Sequence, residues 1–456
     1  MGQEKLVAEV GSTTTVVSMY NEKGKLVAQG QSSTTVEAGD VLLGLNRAQE
    51  DLKQQLDQNG SFSGSLDDLE MYATSSAAGG LKMTVHGLVY DMTARASREA
   101  ALGAGAVIHQ VTAGELSQED IDNTLEISPN IILLAGGVDY GEEKTVVNNA
   151  RYIADSGIKA PIVYAGNVAC QEKVVKILES AGLYVKAVEN VYPTVDELNV
   201  EPARKAIQQI FQSHIVHAPG MEKIKERVNG SIMPTPGAVM EGAKRVADKI
   251  GDAMVIDVGG ATTDVHSVTD GSQEMLDLTV APEPRAKRTV EGDLGVYRNA
   301  KNLIDLMDES YFESGMSQED MLNIIADWEP FPQNESEKHL LQLFAKIATF
   351  TAVDRHAGAI KYLYGPTGRQ KIVKGKDLTK IRYVIGTGGA LGRSKPGEKV
   401  IKELLKRYQP SKLTPPKDAQ LILDSNYSLA AIGLLSVQAP EMADRIIENF
   451  AEHKAL

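Results

Sequence analysis

A chain of 456 residues with 42% hydrophobic side chains can bury more than one core, so two to four structural units are expected. A formal net charge of −14, with no basic run interleaved with aromatics, speaks against a nucleic-acid-binding surface. The single cysteine, Cys170, rules out a disulfide framework, a thiolate zinc site or an iron–sulfur cluster held within one chain.

Aromatic content is low at 5%, and small and β-branched residues are frequent. Close packing of helices on a parallel sheet uses such residues, so an α/β class is expected. The apolar run from Ile131 to Ala135 is far too short to span a bilayer, and the stretch from Met1 to Lys5 has no signal-peptide pattern. A cytoplasmic protein without membrane attachment is the expectation.

In chain order, Lys5 to Val10 reads as a buried strand, Thr13 to Tyr20 as a second and Lys25 to Gln31 as a third, with a turn at Asn21-Glu22-Lys23-Gly24. Val41, Leu42, Leu45, Ala48, Leu52 and Leu56 share one face at helical spacing. A short strand lies around Met71 to Thr74. From Leu81 to His214 strand and helix patterns alternate: strands at Ile131–Ala135, Ile162–Ala165 and Tyr184–Val188, helices at Glu143–Asp155 and Cys170–Ala181. That rhythm predicts an inserted parallel sheet with Rossmann-like or flavodoxin-like winding. A helix begins at Pro234-Thr235-Pro236-Gly237. Strands Ala253–Val258 and Thr263–Val268 follow, then a mainly helical stretch from Leu294 to about Leu363, broken at Pro330 and Pro332. A strand at Tyr383–Ile385 runs into glycines, a helix covers Glu398 to Tyr408, and a last helical region covers Ser428 to Phe450. The expected units are 1–80 and 217–249 as the first lobe, 81–216 as the insert, and 250–456 as the second lobe with a helical insertion at about 295–363.

Two segments repeat each other. Glu9-Val10-Gly11-Ser12-Thr13-Thr14-Thr15 and Asp257-Val258-Gly259-Gly260-Ala261-Thr262-Thr263-Asp264 both read acid, apolar, Gly, small, small, Thr, Thr between strand patterns. Gly11, Gly259 and Gly260 permit positive φ and close backbone approach, so amides near Ser12, Thr13, Thr14, Ala261 and Thr262 can face phosphate oxygens. Glu9 and Asp257 would end their strands facing those phosphates, where a carboxylate is tolerable only beside a cation such as Mg²⁺. A third turn, Gly386-Thr387-Gly388-Gly389-Ala390, follows a short strand and would let a base and ribose lie on bare backbone. One glycine hairpin is more often just a tight turn. Two matched hairpins far apart, with the late glycine turn, are hard to explain except as one nucleotide site.

Acid-x-Gly-x-x-x-Thr, then Asp-x-Gly-Gly-x-Thr-Thr-Asp, then Gly-x-Gly-Gly-Ala, in this order, resembles the two phosphate motifs and the adenosine motif of the actin/Hsp70/sugar-kinase ATPases. Gly237 through Ala247 resembles the first connecting helix of that superfamily, and Ser428 to Gly433 the second. The resemblance implies two RNase-H-like lobes hinged around ATP and Mg²⁺. In it, Asp257 and Glu9 are the catalytic carboxylates, and Glu9, Asp257 and Asp264 hold the metal, mostly through water. Two departures stand out. The first acid is Glu9 where the superfamily usually has Asp, and no acid opens the first connecting helix, where Thr235 stands, with Glu241 a turn later. Slow hydrolysis is therefore implied.

Four further phrases are similar to the GlmL/MutL family: Ser75 through Met83; Thr93-Ala94-Arg95 through Ala101-Leu102-Gly103-Ala104-Gly105-Ala106; Leu134-Ala135-Gly136-Gly137-Val138-Asp139; and Arg288-Thr289-Val290-Glu291-Gly292-Asp293-Leu294-Gly295. This resemblance implies a chaperone-like factor. It would couple ATP to release of damaged cobalamin from an adenosylcobalamin-dependent aminomutase of the ornithine aminomutase or glutamate mutase type, and the mutase subunits would be its partners. As plain packing, Gly103 and Gly105 would let a helix approach a sheet, and Arg288, Glu291 and Asp293 would form a surface charge network. Asp354-Arg355-His356-Ala357-Gly358 departs from a cobalt-ligating Asp-x-His-x-x-Gly pattern, so no cobalamin ligation by a histidine of this chain is expected. A small-molecule kinase of the same fold and an actin-like scaffold are the alternatives. Whether the chain forms a homo-oligomer stays open.

Overall fold

The computed structural model describes residues 4–35, 40–77, 81–195, 197–214, 221–307, 316–329, 331–365, 368–392, 395–407 and 409–452. The expectations placed on Ala78, Gly79 and Gly80, on Pro330 and on Tyr408 lie outside these residues.

Strands β1 (Lys5–Val10), β2 (Thr14–Tyr20) and β3 (Leu26–Ser33) form an antiparallel meander. The Asn21 side chain accepts from the amides of Lys23 and Lys25 and so fixes the β2–β3 turn. Helix α1 (Val41–Asn59) starts where the Asp40 carboxylate accepts from the Leu42 amide at 2.9 Å, and it stops at Gly60 in the left-handed region. Its stripe Val41, Leu45, Ala48, Leu52 and Leu56 is buried in the core beneath the meander. Strand β4 (Glu70–Ser75) then pairs parallel to β1.

The chain next leaves this sheet for a second one. A π-helical turn at Tyr90–Ala94 leads into α2 (Arg95–Gly103), which lies between β5 (Leu81–Gly87) and β6 (Ala106–Ala113). Helix α3 (Gln118–Ile127), β7 (Ile131–Leu134), α4 (Lys144–Asp155), β8 (Ile162–Tyr164), α5 (Gln171–Ser180) and β9 (Val185–Ala187) continue the alternation. All pairings are parallel and the order is β6-β5-β7-β8-β9, the 2-1-3-4-5 winding of flavodoxin-like sheets. Helices α6 (Glu201–His214) and α7 (Met221–Arg227) bring the chain back, and β10 (Met233–Pro234) pairs parallel to β4. The first sheet thus has the order β10-β4-β1-β2-β3.

Helix α8 (Thr235–Ile250) crosses to a third sheet made of β11 (Ala253–Val258), β12 (Thr263–Val268), β13 (Ala286–Glu291), β16 (Tyr383–Thr387) and β17 (Gln420–Leu423). Its order β13-β12-β11-β16-β17 repeats the first sheet strand for strand: three antiparallel strands, then two parallel ones. Helices Ala300–Asp305, Gln318–Asp327 and Glu335–His356 cover one side. The expected helical stretch ends sooner than the sequence pattern suggests. Residues Ala359–Gly365 and Gly368–Lys374 form an antiparallel ribbon, β14 and β15. The last helical region is two helices, Ser428–Gln438 and Pro440–Glu452.

One core runs unbroken from β1 and α1 of the first lobe into the inner face of the insert, through Met83, Val85, Ile131 and Leu133. The insert is therefore packed onto its lobe rather than tethered to it. A separate core wraps α8 and the helix Ser428–Gln438, where the two lobes join. Among the described residues, no helix is long and apolar enough to cross a membrane.

Candidate nucleotide cleft

The two repeated segments fold alike. Each is a β-hairpin closed by the same bond: Gly11 N–H donates to Thr14 C=O at 2.9 Å, and Gly259 N–H to Thr262 C=O at 3.0 Å. They sit at corresponding corners of the two repeated sheets, β1–β2 and β11–β12, and face each other across the cleft. A Cβ added to Gly260 would lie 2.6 Å from Thr13 Oγ1, so only glycine lets the two turns come this close. Arg298, on the loop after β13, reaches the carbonyl of Ser12 across the same gap at 3.5 Å.

Both turns line one cavity of about 860 Å³, within the range of ordinary ligand pockets. Of the residues singled out from sequence, Glu9, Gly11, Ser12, Thr13, Thr14, Asp257, Gly259, Gly260, Ala261, Thr262, Asp264, Gly388, Gly389 and Ala390 line it. Gly386 lies one step back within β16, paired with Ile256. Gly388 has φ +81, and a Cβ there would lie 2.6 Å from Asp257 Oδ1. The third turn is thus seated directly on the second carboxylate.

The two acids differ in setting. Asp257 is half-buried where it lines the cavity; loss of solvation, with Asp264 and Asp424 nearby, pushes its carboxyl up to about 7, and Arg288 opposes the shift. Asp264 lies opposite Asp257 in the β11–β12 ladder, where the first hairpin has Val16 opposite Glu9. The second hairpin therefore carries one more carboxylate, and a buried cation answers it. Arg288, 1% exposed, grips Asp264 Oδ1 through Nε at 2.8 Å and Nη2 at 2.6 Å. The other oxygen of Asp264 accepts from Thr262 Oγ1 at 3.0 Å. Removing either partner of such a pair leaves a buried charge and costs on the order of 3–5 kcal/mol. The surface charge network expected for Arg288 is thus corrected: Glu291 and Asp293 pair with Arg355 at 2.7 and 2.8 Å, while Arg288 turns inward.

The arrangement suits a magnesium nucleotide on three observations: glycines at the close approaches, amide-bearing turns on both sides, and the Asp257 carboxyl facing the cavity, raised first by loss of solvation and then by its acidic neighbours. Among the described residues, no group of three or more His, Cys, Asp or Glu is placed to hold a metal directly. A cation here would take phosphate oxygens and water as most of its ligands, as Mg²⁺ commonly does. Thr235, where the superfamily often has an acid, opens α8, donates to Thr74 Oγ1 at 3.1 Å and lines the cavity, whereas Glu241 pairs with Lys244 at 3.2 Å. His356 is buried, with its ring nitrogens 2.8 Å from Ser267 Oγ and 2.9 Å from Thr289 Oγ1, so both are engaged inside the second lobe.

Sequence reasoning missed several residues of the site. Asp424 is buried and accepts from the amides of Ser428 and Leu429 at 2.7 and 3.0 Å and from Thr387 Oγ1 at 3.1 Å, capping the second crossing helix against the third turn. Burial pushes its carboxyl up, with those bonds pulling the other way. An acid just ahead of a helix was the signal available for it. Tyr297 and Trp328, stacked at 5.8 Å between ring centres, form an aromatic wall of the cavity that no motif announced. Gly105, Val107 and Asn130 of the insert also reach the cavity.

Two sheets of one winding, each offering a glycine hairpin to the cleft between them and joined by two crossing helices, define the actin/sugar-kinase fold. A family model described as "MutL protein" matches residues 5–451, and the chain belongs to that family. It is 38% identical over 461 residues to "Protein MutL" of Clostridium tetanomorphum, covering 98% of each chain. Among solved structures it is similar to gluconate kinase from Lactobacillus acidophilus (8% identity, TM-score 0.34, 99% of this chain and 96% of that one). It is similar also to component A of the (R)-2-hydroxyglutaryl-CoA dehydratase of Acidaminococcus fermentans (9%, TM-score 0.30, 97% and 100%).

Proposed function

We propose that this chain binds and slowly hydrolyses ATP with Mg²⁺ and uses the change to reactivate an adenosylcobalamin-dependent aminomutase in the cytoplasm. The observation that carries the nucleotide reading is the pair of identically closed hairpins facing each other across one cavity. The amides of Ser12 to Thr14 and of Gly259 to Thr262 would hold the phosphates from opposite lobes, and the turn from Gly386 to Ala390 would carry the adenosine. Bound Mg²⁺ would neutralise charge on the phosphates. Asp257, at the end of β11 facing the cavity, is suited to orient the attacking water and accept its proton. Glu9, one methylene longer than aspartate, would reach the phosphate side from the first lobe. Loss of the terminal phosphate removes one lobe's hold and favours opening, and a partner that binds the two states unequally would be driven by it.

The client is supported by membership in the MutL family together with the phrases that run through the insert. The test is recovery of activity. A cobalamin-dependent aminomutase from the same host is inactivated by turnover, then given this protein, free adenosylcobalamin and either ATP or a non-hydrolysable analogue. Recovery only with ATP is expected; no recovery with any such mutase refutes the chaperone role. The nucleotide reading is tested separately. Trp328 is the one tryptophan of the chain and lines the cavity, so ATP–Mg²⁺ should change its fluorescence saturably.

A further inference from the structure

Two of the family-like phrases meet at one buried point beside the cleft. Arg288 of β13 uses one face of its guanidinium for Asp264, as described. Its remaining arm, Nη1, donates to the carbonyls of Leu102 and Ala106, both at 3.0 Å. These belong to the turn between α2 and β6 of the insert. Leu102 lies in the last turn of α2, where its carbonyl accepts a turn bond from the Gly105 amide at 3.0 Å and where a cation is favoured. From hairpin to insert the path has three links: the Thr262 hydroxyl, the Asp264 carboxylate and the Arg288 fork.

The same turn is held from its other side by the first lobe. Gly105 has φ +97, and a Cβ on it would lie 2.8 Å from the Gly237 amide nitrogen and 3.0 Å from Pro234 Cβ. It therefore rests on the start of α8. Gly103 abuts the guanidinium of Arg204, a second fully buried arginine, which donates to the Ala286 carbonyl of β13 at 3.3 Å. The turn is thus wedged between the two lobes, and Gly105, Thr235, Pro236 and Arg288 all line the cavity. A planar fork has little freedom to re-aim, and buried donors have no water to exchange for. A shift of the second hairpin must either carry the turn with it or break bonds that nothing replaces.

We propose that Arg288 is a positioning residue that ties the second phosphate hairpin to the turn Leu102–Ala106, so that the docking of the insert depends on what the cleft holds. The proposal rests on the reading of the cleft as a nucleotide site and goes beyond it by naming where the nucleotide state leaves the cleft. It also gives both phrases a role that neither packing nor phosphate binding supplies.

The experiment is hydrogen exchange of the full chain without nucleotide and with saturating ATP–Mg²⁺, saturation being read from Trp328 fluorescence. In the natural protein, amides of residues 102–113 should change their exchange rate by about fivefold or more on binding, the lower end of ordinary coupling between sites. In R288K, which keeps the charge and loses the fork, that segment should exchange equally with and without bound ATP. Should R288K fail to fold, R288Q, whose amide can still donate to Asp264 but cannot fork to the turn, carries the same comparison. ATP that binds the natural protein without altering residues 102–113 overturns the proposal and leaves the nucleotide site standing. A response retained in the variant, or a variant that no longer binds ATP at all, also overturns it, the latter because Arg288 would then serve the nucleotide directly. Absence of ATP binding to the natural protein overturns both readings.

Discussion

Asp257 combines a half-buried position, two acidic neighbours and a seat beneath the third glycine turn, and its titration should be visible in stability. Its folded carboxyl is raised from the ordinary 3.8 to about 7. A group raised in this way adds stability that is full below about pH 4 and is lost as pH rises through about 7. Magnesium-free, nucleotide-free protein should therefore lose more thermal stability between pH 5 and 8 than Asp257→Asn does under the same conditions. Melting curves at the two pH values decide it; equal losses would mean that Asp257 ionises as an ordinary surface acid. The same variant should slow ATP turnover by about 10²- to 10⁴-fold, measured as phosphate release. At this scale the sequence was readable where chemistry and backbone coincide: acid, glycine and threonine at fixed offsets can be read without a fold. Arg288 and Asp424 were not readable in that way. Their roles come from partners 24 to 186 positions away for Arg288 and 37 for its third-turn contact in Asp424.

Among elements, α1 shows how local pattern and packing agree. Leu52 is fully buried at the centre of its stripe, so Leu52→Ala should destabilise the chain by about 2–5 kcal/mol. Asp40→Ala removes the cap and an exposed 3.5 Å ion pair with Lys223, and should cost about 1 kcal/mol. Urea unfolding of the two variants should preserve that order; a reversal would mean that this helix owes more to its end than to its face. Strand β13 is the opposite case. Its sequence Ala-Lys-Arg-Thr-Val-Glu carries Lys287 and Arg288, both buried, so the apolar run or alternation that marks a strand is absent. Lys287 instead donates to the Thr269 carbonyl at 2.6 Å, and burial pulls its ammonium below the usual lysine range. The ribbon β14–β15 escaped for another reason. Tyr362 and Leu363 are both exposed, and along β15 Val373 alone is buried, too little to impress a period of two.

For the whole molecule, the two crossing helices set how closely the lobes are joined. Helix α8 and the helix Ser428–Gln438 touch through glycine: a Cβ on Gly433 would collide with the Ala238 carbonyl, and one on Gly242 with the Leu429 carbonyl. Backbones in direct contact permit sliding and rotation that larger side chains would block. Gly433→Leu should force them apart, destabilise the protein by about 1–3 kcal/mol or more, and weaken ATP binding through the displaced lobes. Calorimetry and Trp328 fluorescence together test this; unchanged affinity would place the hinge elsewhere. The overall architecture was legible because each lobe announces itself by its hairpin and the insert by its β–α rhythm. What could not be read was that the insert shares a core with one lobe and a buried arginine with the other, since neither contact follows from any local pattern.

The lone thiol has a practical consequence. Cys170 lies 2% exposed under the outer layer of the insert, within 3.5 Å of the Tyr164 hydroxyl and the Asn167 carbonyl, and burial pushes its pKa up. A colourless reagent that turns yellow on meeting a thiol can therefore react only in the moments when this unit breathes open. Its pace in mild urea becomes a clock for the insert alone, read in unmodified protein, and ATP should slow that clock if the insert is held more firmly when the cleft is filled.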